Sequence, residues 1–401
     1  MQKHLLLGLT LLLPPGAFAQ TALKIGDRLP DFVLPRVVNS KTGTFAPALA
    51  PGKVLVLEFW STTCSPCIPA LEHLSALQQR HPNELQVVGI SPDSEARLQK
   101  FLTKRPVAVP LASAPDPKQD INQLFPHRVN PHTVVIDRNQ RIVAITSPEQ
   151  FDEKALGEVV AGRPVHLKVK QDVMNAEPMS FFAMDSTTRY GVNVRPFIQG
   201  LPGMMHPERS GPFARRRLTA INVDPVSLFQ IAYEVQNQRV LNQLPDSLRQ
   251  YNDRYLLCFD LIVPPGQEAN LRPIMRDELR RYLPVRADTV AVTKAAYVLR
   301  RLKAGRPLPT SAAPETHSFN GGEFGMQGGR MSLVRDYLEN ELNRPVVDET
   351  GLTGRYDVAF RIQPENLQPS IAAVLSKLGL ELVEESREIQ MLRLTPAPAA
   401  R

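Results

Sequence analysis

Cys64 and Cys67, with only Ser65-Pro66 between them, are the residues of this chain best suited to covalent chemistry. They follow directly on the apolar run Val54-Leu55-Val56-Leu57-Glu58-Phe59-Trp60. A Cys-x-x-Cys pair at a strand-to-helix junction points to thiol-disulfide exchange. Amide N–H groups at the helix end stabilise one thiolate, and the second thiol lies close enough to resolve a mixed disulfide. A structural disulfide and half of a metal site are the competing readings. Zinc wants four ligands, and no second Cys-x-x-Cys or His pair stands at the usual spacing, so no metal or other cofactor is expected. His73, His81, His127 and His132 are scattered and read as solvated or hydrogen-bonded. The third cysteine, Cys258, sits within Tyr255-Leu256-Leu257-Cys258-Phe259-Asp260-Leu261-Ile262 and reads as an inert core thiol.

The elements that must position this pair are legible around it. Residues 55–60 read as a strand that delivers Cys64 to the start of a helix over 67–79, where Ile68, Leu71, Leu74 and Leu77 recur every three residues. A strand at 85–90, a helix at 94–102, a strand pair at 132–137 and 142–145 and a helix at 151–160 complete the pattern. Near-continuous buried strands, then a hairpin, with helices between, imply an α/β fold with a mixed central sheet. In Val129-Asn130-Pro131-His132 a proline immediately precedes a strand. Such a proline, when cis, holds a loop against the dithiol so that an extended substrate pairs with its backbone.

Three ordered motifs carry a resemblance: the stretch from Ile25-Gly26-Asp27 to Val33-Leu34, Phe59-Trp60-Ser61-Thr62-Thr63-Cys64-Ser65-Pro66-Cys67, and Asn130-Pro131-His132-Thr133-Val134-Val135-Ile136-Asp137. Over about residues 22–165 the chain resembles the TlpA-type branch of the thioredoxin family. The resemblance implies a thioredoxin fold with Cys64 as exposed nucleophile, Cys67 as resolving thiol and Pro131 as cis-proline. Glu58 aligns with the buried acid of thioredoxins, a carboxylate that relays the proton of Cys67; an outward-facing Glu58 is the alternative. Trp60, Ser65, Pro66 and Asn130 form the expected substrate-binding set, with Trp60 packed beneath the dithiol. Thr63 stands where tryptophan is common, and Ile68-Pro69 after Cys67 is unusual, so helix geometry and substrate surface are expected to differ. Peroxiredoxins share the Gly-x-x-x-Pro-x-Phe opening, but Leu57 occupies their proline position. Copper handling through Cys64, Cys67 and His132 is a further alternative.

At 401 residues the chain exceeds one ordinary domain. Residues 1–19 have the layout of a secretory signal: Lys3, an apolar stretch from Leu5 to Leu13, then Ala17-Phe18-Ala19. The expectation is therefore an exported protein, periplasmic or in the cell envelope, soluble after cleavage near Ala19. A formal charge of +7 raises the question of nucleic acid. Arg215-Arg216-Arg217, Arg280-Arg281 and Arg300-Arg301 lack interleaved aromatic residues, so no nucleic acid is expected and they read as solvated faces.

Residues 166–176 read as a linker and 177–401 as an α+β region. Within it, 215–302 and 318–396 repeat weakly, each reading strand-helix-strand-helix-strand-strand. Val346-Val347-Asp348-Glu349-Thr350-Gly351-Leu352-Thr353-Gly354-Arg355-Tyr356-Asp357 resembles the signature of an uncharacterised domain family of environmental bacteria. Physically it suits a tight turn before a strand, capped by the Asp348 side chain. The glycine-rich 319–329 reads as a hairpin or loop, since it lacks a phosphate-loop ending.

The resulting expectation is an exported disulfide reductase that draws electrons from a membrane thiol donor and acts on disulfide-containing proteins. The reductive direction comes from the resemblance alone. A non-catalytic C-terminal module would recruit a substrate or an envelope component. The rival class is a partner-binding envelope protein.

Overall fold

Apolar strand runs build the first sheet of the computed structural model, which describes residues 22–116, 120–175, 177–245, 256–303, 308–320, 322–363 and 366–397. The expected signal, residues 1–19, lies outside them. Along the chain come β1 (Val37–Val38), β2 (Val54–Phe59), α1 (Cys67–Arg80), β3 (Leu85–Ser91), α2 (Glu95–Lys104), β4 (Leu111–Ser113), α3 (Asp120–Leu124), β5 (His132–Ile136), β6 (Ile142–Thr146) and α4 (Glu153–Val160). The sheet order is β1-β4-β3-β2-β5-β6. β2, β3 and β4 run parallel, while β5 lies antiparallel to β2 and β6 to β5. Every residue of β2 is buried, as expected of a central strand covered on both faces. Leu71, Leu74 and Leu77 of α1 pack with Leu98, Phe101 and Leu156 on one face; Phe32, Phe45, Leu124 and Phe125 pack on the other. Ser94 and Asp152 cap α2 and α4 by accepting from Arg97 N and Ala155 N.

Residues 161–175 are more than a tether. They follow the open edge of β6, where Lys170 N donates to Ile145 O at 3.0 Å and Thr146 Oγ1 to Lys168 O at 2.7 Å.

The C-terminal region contains β7 (Gly191–Pro196), β8 (Met204–Pro207), β9 (Arg217–Val223), α5 (Pro225–Tyr233), β10 (Val240–Asn242), β11 (Leu257–Ile262), α6 (Leu271–Tyr282), β12 (Val285–Arg301), β13 (Thr316–Asn320), β14 (Glu323–Gly329), α7 (Met331–Leu342), β15 (Val346–Asp348), β16 (Tyr356–Arg361), α8 (Leu367–Lys377) and β17 (Leu380–Pro396). They form sheets ordered β7-β11-β9-β8, β13-β14-β16 and β10-β17-β12-β15. Each half runs strand, helix, short strand, strand, helix, long strand. The closing strand pair expected in each half is instead one unbroken strand. β12 has no Gly or Pro to turn it, and it pairs with β17 residue for residue from Val285↔Pro396 to Arg301↔Leu380. One end of this ribbon enters the core of the first half through Val285, Ala287, Leu392 and Leu394. The other enters the second through Tyr297, Leu299 and Leu380.

The expectation of solvated arginine faces fails at Arg216 and Arg217, which are buried. Arg216 donates to the carbonyls of Val263, Pro212, Thr188 and Arg189. Arg217 forks onto Asp260 with Nε at 2.9 Å and Nη2 at 3.0 Å. A buried carboxylate demands such a partner, and the sequence does not show that Asp260 faces inward. In the turn string, Asp348 Oδ1 accepts from Thr350 N and Thr350 Oγ1. Gly351 adopts φ +66°, and a Cβ on Gly354 would lie 2.9 Å from the Tyr356 hydroxyl.

Candidate active site

β2 ends at Phe59, and the chain turns through 60–66 into α1. Cys64 and Cys67 are joined as a disulfide, their Cα atoms 5.3 Å apart. Cys67 is the first residue of α1 and fully buried, whereas Cys64 is partly exposed and Ser65 exposed. Of the pair, only Cys64 is reachable from outside. Its sulfur stands at the N-terminal end of a 14-residue helix, where backbone dipoles favour an anion. Pro69 falls in the first turn, where its missing N–H has no intrahelical acceptor to satisfy, so the unusual Ile68-Pro69 leaves the helix intact to Arg80.

Trp60 corrects one expectation. It is fully buried, with its ring 4.8 Å from that of Phe101 and in the same apolar cluster as Cys64 and Cys67. It supports the dithiol from beneath and offers no surface to a substrate. A Cβ on Gly89 would come within 2.8 Å of both Trp60 Nε1 and Leu111 Cδ2, so glycine is what admits the indole.

The loop before Cys64 has a brace that sequence reasoning missed. Asp93 Oδ2 accepts from Thr62 N at 2.7 Å and from Ser91 Oγ at 3.0 Å. Arg97 Nε donates to Thr62 Oγ1 at 2.7 Å and lies 3.2 Å from Asp93. Asp93 and Arg97 stand at i, i+4, a visible ion-pair spacing, but nothing in the sequence points that pair at residue 62.

Glu58 faces inward with no exposed surface, between Gly89 of β3 and Thr133 of β5. Thr133 Oγ1 donates to its Oε2 at 2.6 Å. Burial pushes the Glu58 carboxyl up to about 8, against the opposing pull of the Thr133 hydrogen bond and the Lys170 charge. The group therefore holds its proton near neutrality and releases it just above.

The Asn130-Pro131 peptide bond is cis. Because Phe59 and His132 are register partners, Trp60 and Pro131 leave the sheet at the same end, the end that carries the dithiol. Asn130, Pro131 and Pro66 are partly exposed there. The rings of His127 and His132 stack 4.6 Å apart and both abut Phe59. Burial holds both below the usual imidazole range, His132 at about 2, with the neighbouring His127 and Lys170 charges adding to the effect on His132. Both rings are neutral at pH 7, and His132 is a buried core residue.

Two residues at this site come from the segment expected to be a linker. Lys170 Nζ donates to Val129 O at 2.6 Å and to Asp172 Oδ1 at 2.7 Å. Asp172 Oδ2 accepts from Arg128 N at 2.7 Å and Val129 N at 2.8 Å. Their polar, unpatterned surroundings in the sequence gave no signal of this contact.

Comparison with known proteins agrees with this anatomy. Residues 25–145 match the AhpC/TSA family, and residues 226–395 match a protein family of unknown function, DUF3738. The Thioredoxin-like protein YneN of Bacillus subtilis (strain 168) is 28% identical over 81 residues, which is 20% of this chain and 46% of that protein. The match thus spans under half of the relative's length. Among solved structures, a DsbF homologue from Corynebacterium diphtheriae is 24% identical, covering 39% of this chain and 99% of that one, with a TM-score of 0.30. The thioredoxin domain of a thiol-disulfide oxidoreductase from Bacteroides vulgatus is 19% identical over 35% and 98% of the two chains, with a TM-score of 0.29. The chain carries a thioredoxin-like domain with a Cys64–Cys67 pair, joined to a C-terminal domain of unknown function.

Proposed function

We propose that this protein reduces disulfide bonds in exported proteins. The observation that carries the reading is the asymmetry of the pair: Cys64 is open to a partner, and Cys67 is closed off beneath it, at the sheet end where cis-Pro131 lies. In the reduced enzyme the Cys64 thiolate attacks one sulfur of a substrate disulfide, forming a mixed disulfide and releasing the first substrate thiolate. Cys67 gives its proton to Glu58 in its ionised form, a minor fraction at pH 7 that grows as pH rises to about 8, and attacks the Cys64 sulfur. The second substrate thiolate departs, so the substrate gains two electrons and the enzyme loses two. Burial suits Glu58 to that transfer near neutral pH. A membrane thiol donor closes the cycle by returning the two electrons.

Export rests on the signal-like residues 1–19 and accounts for the need of an outside donor. The C-terminal domain serves as the recruiting module. A chain ending at residue 175 tests that role: full retention of activity on native targets excludes it.

The central test uses enzyme reduced with excess dithiol, desalted and mixed with insulin, with free insulin thiols then counted. Wild type delivers two thiols per enzyme, and a Cys64→Ser/Cys67→Ser variant none. Equal delivery by the two overturns the reading. A strongly oxidising equilibrium potential reverses the direction from reductase to oxidase.

A further inference from the structure

The loop that leads into cis-Pro131 has backbone groups that the thioredoxin-like domain itself does not satisfy. Val129 donates its N–H to Asp172 and receives Lys170 on its C=O, and Arg128 N–H also goes to Asp172. Both partners lie beyond the matched residues 25–145. The Lys170 and Asp172 side chains are only 11% and 7% exposed. Their bonds are therefore charge-assisted and largely shielded from water, the setting in which such contacts hold a backbone most firmly.

The same segment is tied at its other end to the C-terminal region. Val173 N donates to Gly200 O at 3.1 Å. A Cβ on Gly200 would lie 2.8 Å from Val173 Cγ2 and 2.9 Å from its N, so the two backbones are in close approach. Arg128 returns the grip, its Nη1 donating to Val173 O at 3.1 Å and Met174 O at 3.3 Å. A continuous path of hydrogen bonds runs from Gly200 through residues 170–174 to the peptide two positions before the cis-proline.

We propose that Lys170 and Asp172 are positioning residues of the dithiol site: they fix the Arg128-Val129 backbone so that Asn130-Pro131 is held ready to pair with an extended substrate chain, and they latch the C-terminal region to that loop. The inference rests on the disulfide-exchange reading above. It predicts that substrates with a polypeptide backbone depend on the clamp and that a small disulfide, which needs only the Cys64 sulfur, does not.

Full-length Lys170→Met, Asp172→Asn and Lys170→Arg chains are assayed with insulin, using dithiothreitol as reductant, and separately with 5,5′-dithiobis(2-nitrobenzoate). The methionine and asparagine variants should raise KM for insulin roughly tenfold, the scale of one lost charge-assisted hydrogen bond. For Asp172→Asn, kcat and the rate with the small disulfide should stay within about twofold of wild type on the same scale, whereas Lys170→Met also removes a charge that acts on Glu58 and is read by its KM alone. Lys170→Arg, which keeps charge and donors, should recover most of the KM. An unchanged KM in both loss variants overturns the inference, as does an equal fall of Asp172→Asn with both substrates, which would mean general damage to the fold. Should Lys170→Met fail to fold, Asp172→Asn and Lys170→Arg give the same comparison. Absence of Cys64-dependent exchange in wild type defeats the underlying reading, whereas exchange with insensitive variants defeats the clamp alone.

Discussion

Thr133 and Glu58 meet across the β2–β5 ladder, hydroxyl to carboxyl oxygen at 2.6 Å, and the other carboxyl oxygen, Oε1, has no partner among the described residues. An acid held this way is a liability once ionised. Its folded value of about 8 lies above the ordinary 4.5, so between those values the folded chain binds more protons than the unfolded one. Stability is then fully present below about pH 4.5 and drains away as pH rises toward 8, at up to about 1.4 kcal/mol per pH unit. Glu58→Gln should flatten that slope, so that denaturant midpoints of variant and wild type diverge in the variant's favour at pH 8. A parallel pair of pH curves would show that Glu58 ionises normally. Activity should move oppositely, the resolving step slowing about tenfold or more for want of a base.

The resolving role of Cys67 has its own signature. Cys67→Ser leaves Cys64 able to attack but removes the thiol that releases the product. The variant should accumulate a covalent complex with a disulfide substrate, seen by non-reducing electrophoresis and dissolved by dithiothreitol. Cys64→Ser should form none. If both variants trap equally, the exposed and buried roles are misassigned.

Gly89 and Trp60 give a packing test. Gly89→Ala places a methyl 2.8 Å from two side chains in a filled core, which should cost about 1–3 kcal/mol in urea unfolding. Because Trp60 is the only tryptophan and shares a cluster with both cysteines, its emission should differ between disulfide and dithiol forms and shift again in the alanine variant. Identical spectra in all three would place the indole elsewhere.

Arg217→Met strips the Asp260 carboxylate of its fork and leaves it the hydrogen bond from Thr219 Oγ1 at 2.6 Å. An uncompensated buried charge should lower the stability of the C-terminal region by about 3–5 kcal/mol. Calorimetry should show the corresponding transition moving down while the redox domain's transition stays in place. An unmoved C-terminal transition would mean that the carboxylate finds another partner.

The dithiol, its strand and its helix were legible because each carries a local signal: apolar continuity in Val54 to Trp60, three-residue spacing from Ile68 to Leu77, and a proline before a strand at 131. β1, β4 and α3 escaped because two, three and five residues are too few to display a period. Lys170, Asp172 and Asp93 escaped for a different reason. Their roles come from tertiary hydrogen bonds to backbone 31 to 44 residues away, and a charged side chain looks the same in sequence whether it faces water or a loop. Arg216 and Arg217 misled by the same logic in reverse. Each long strand of the ribbon reads in sequence as a pair of strands because a strand of 17 residues is rare, although nothing in β12 calls for a break.

That ribbon imposes an order of events on the nascent chain. The first half of the C-terminal region has its own helices and strands by residue 301, yet Leu392 and Leu394 belong to its core and β10 pairs with β17. Synthesis must therefore run some ninety residues past the first half before its interior can be sealed, and during that interval its apolar surface stands open to chaperones and to misassembly. Both halves become complete together, when 380–396 zips into place.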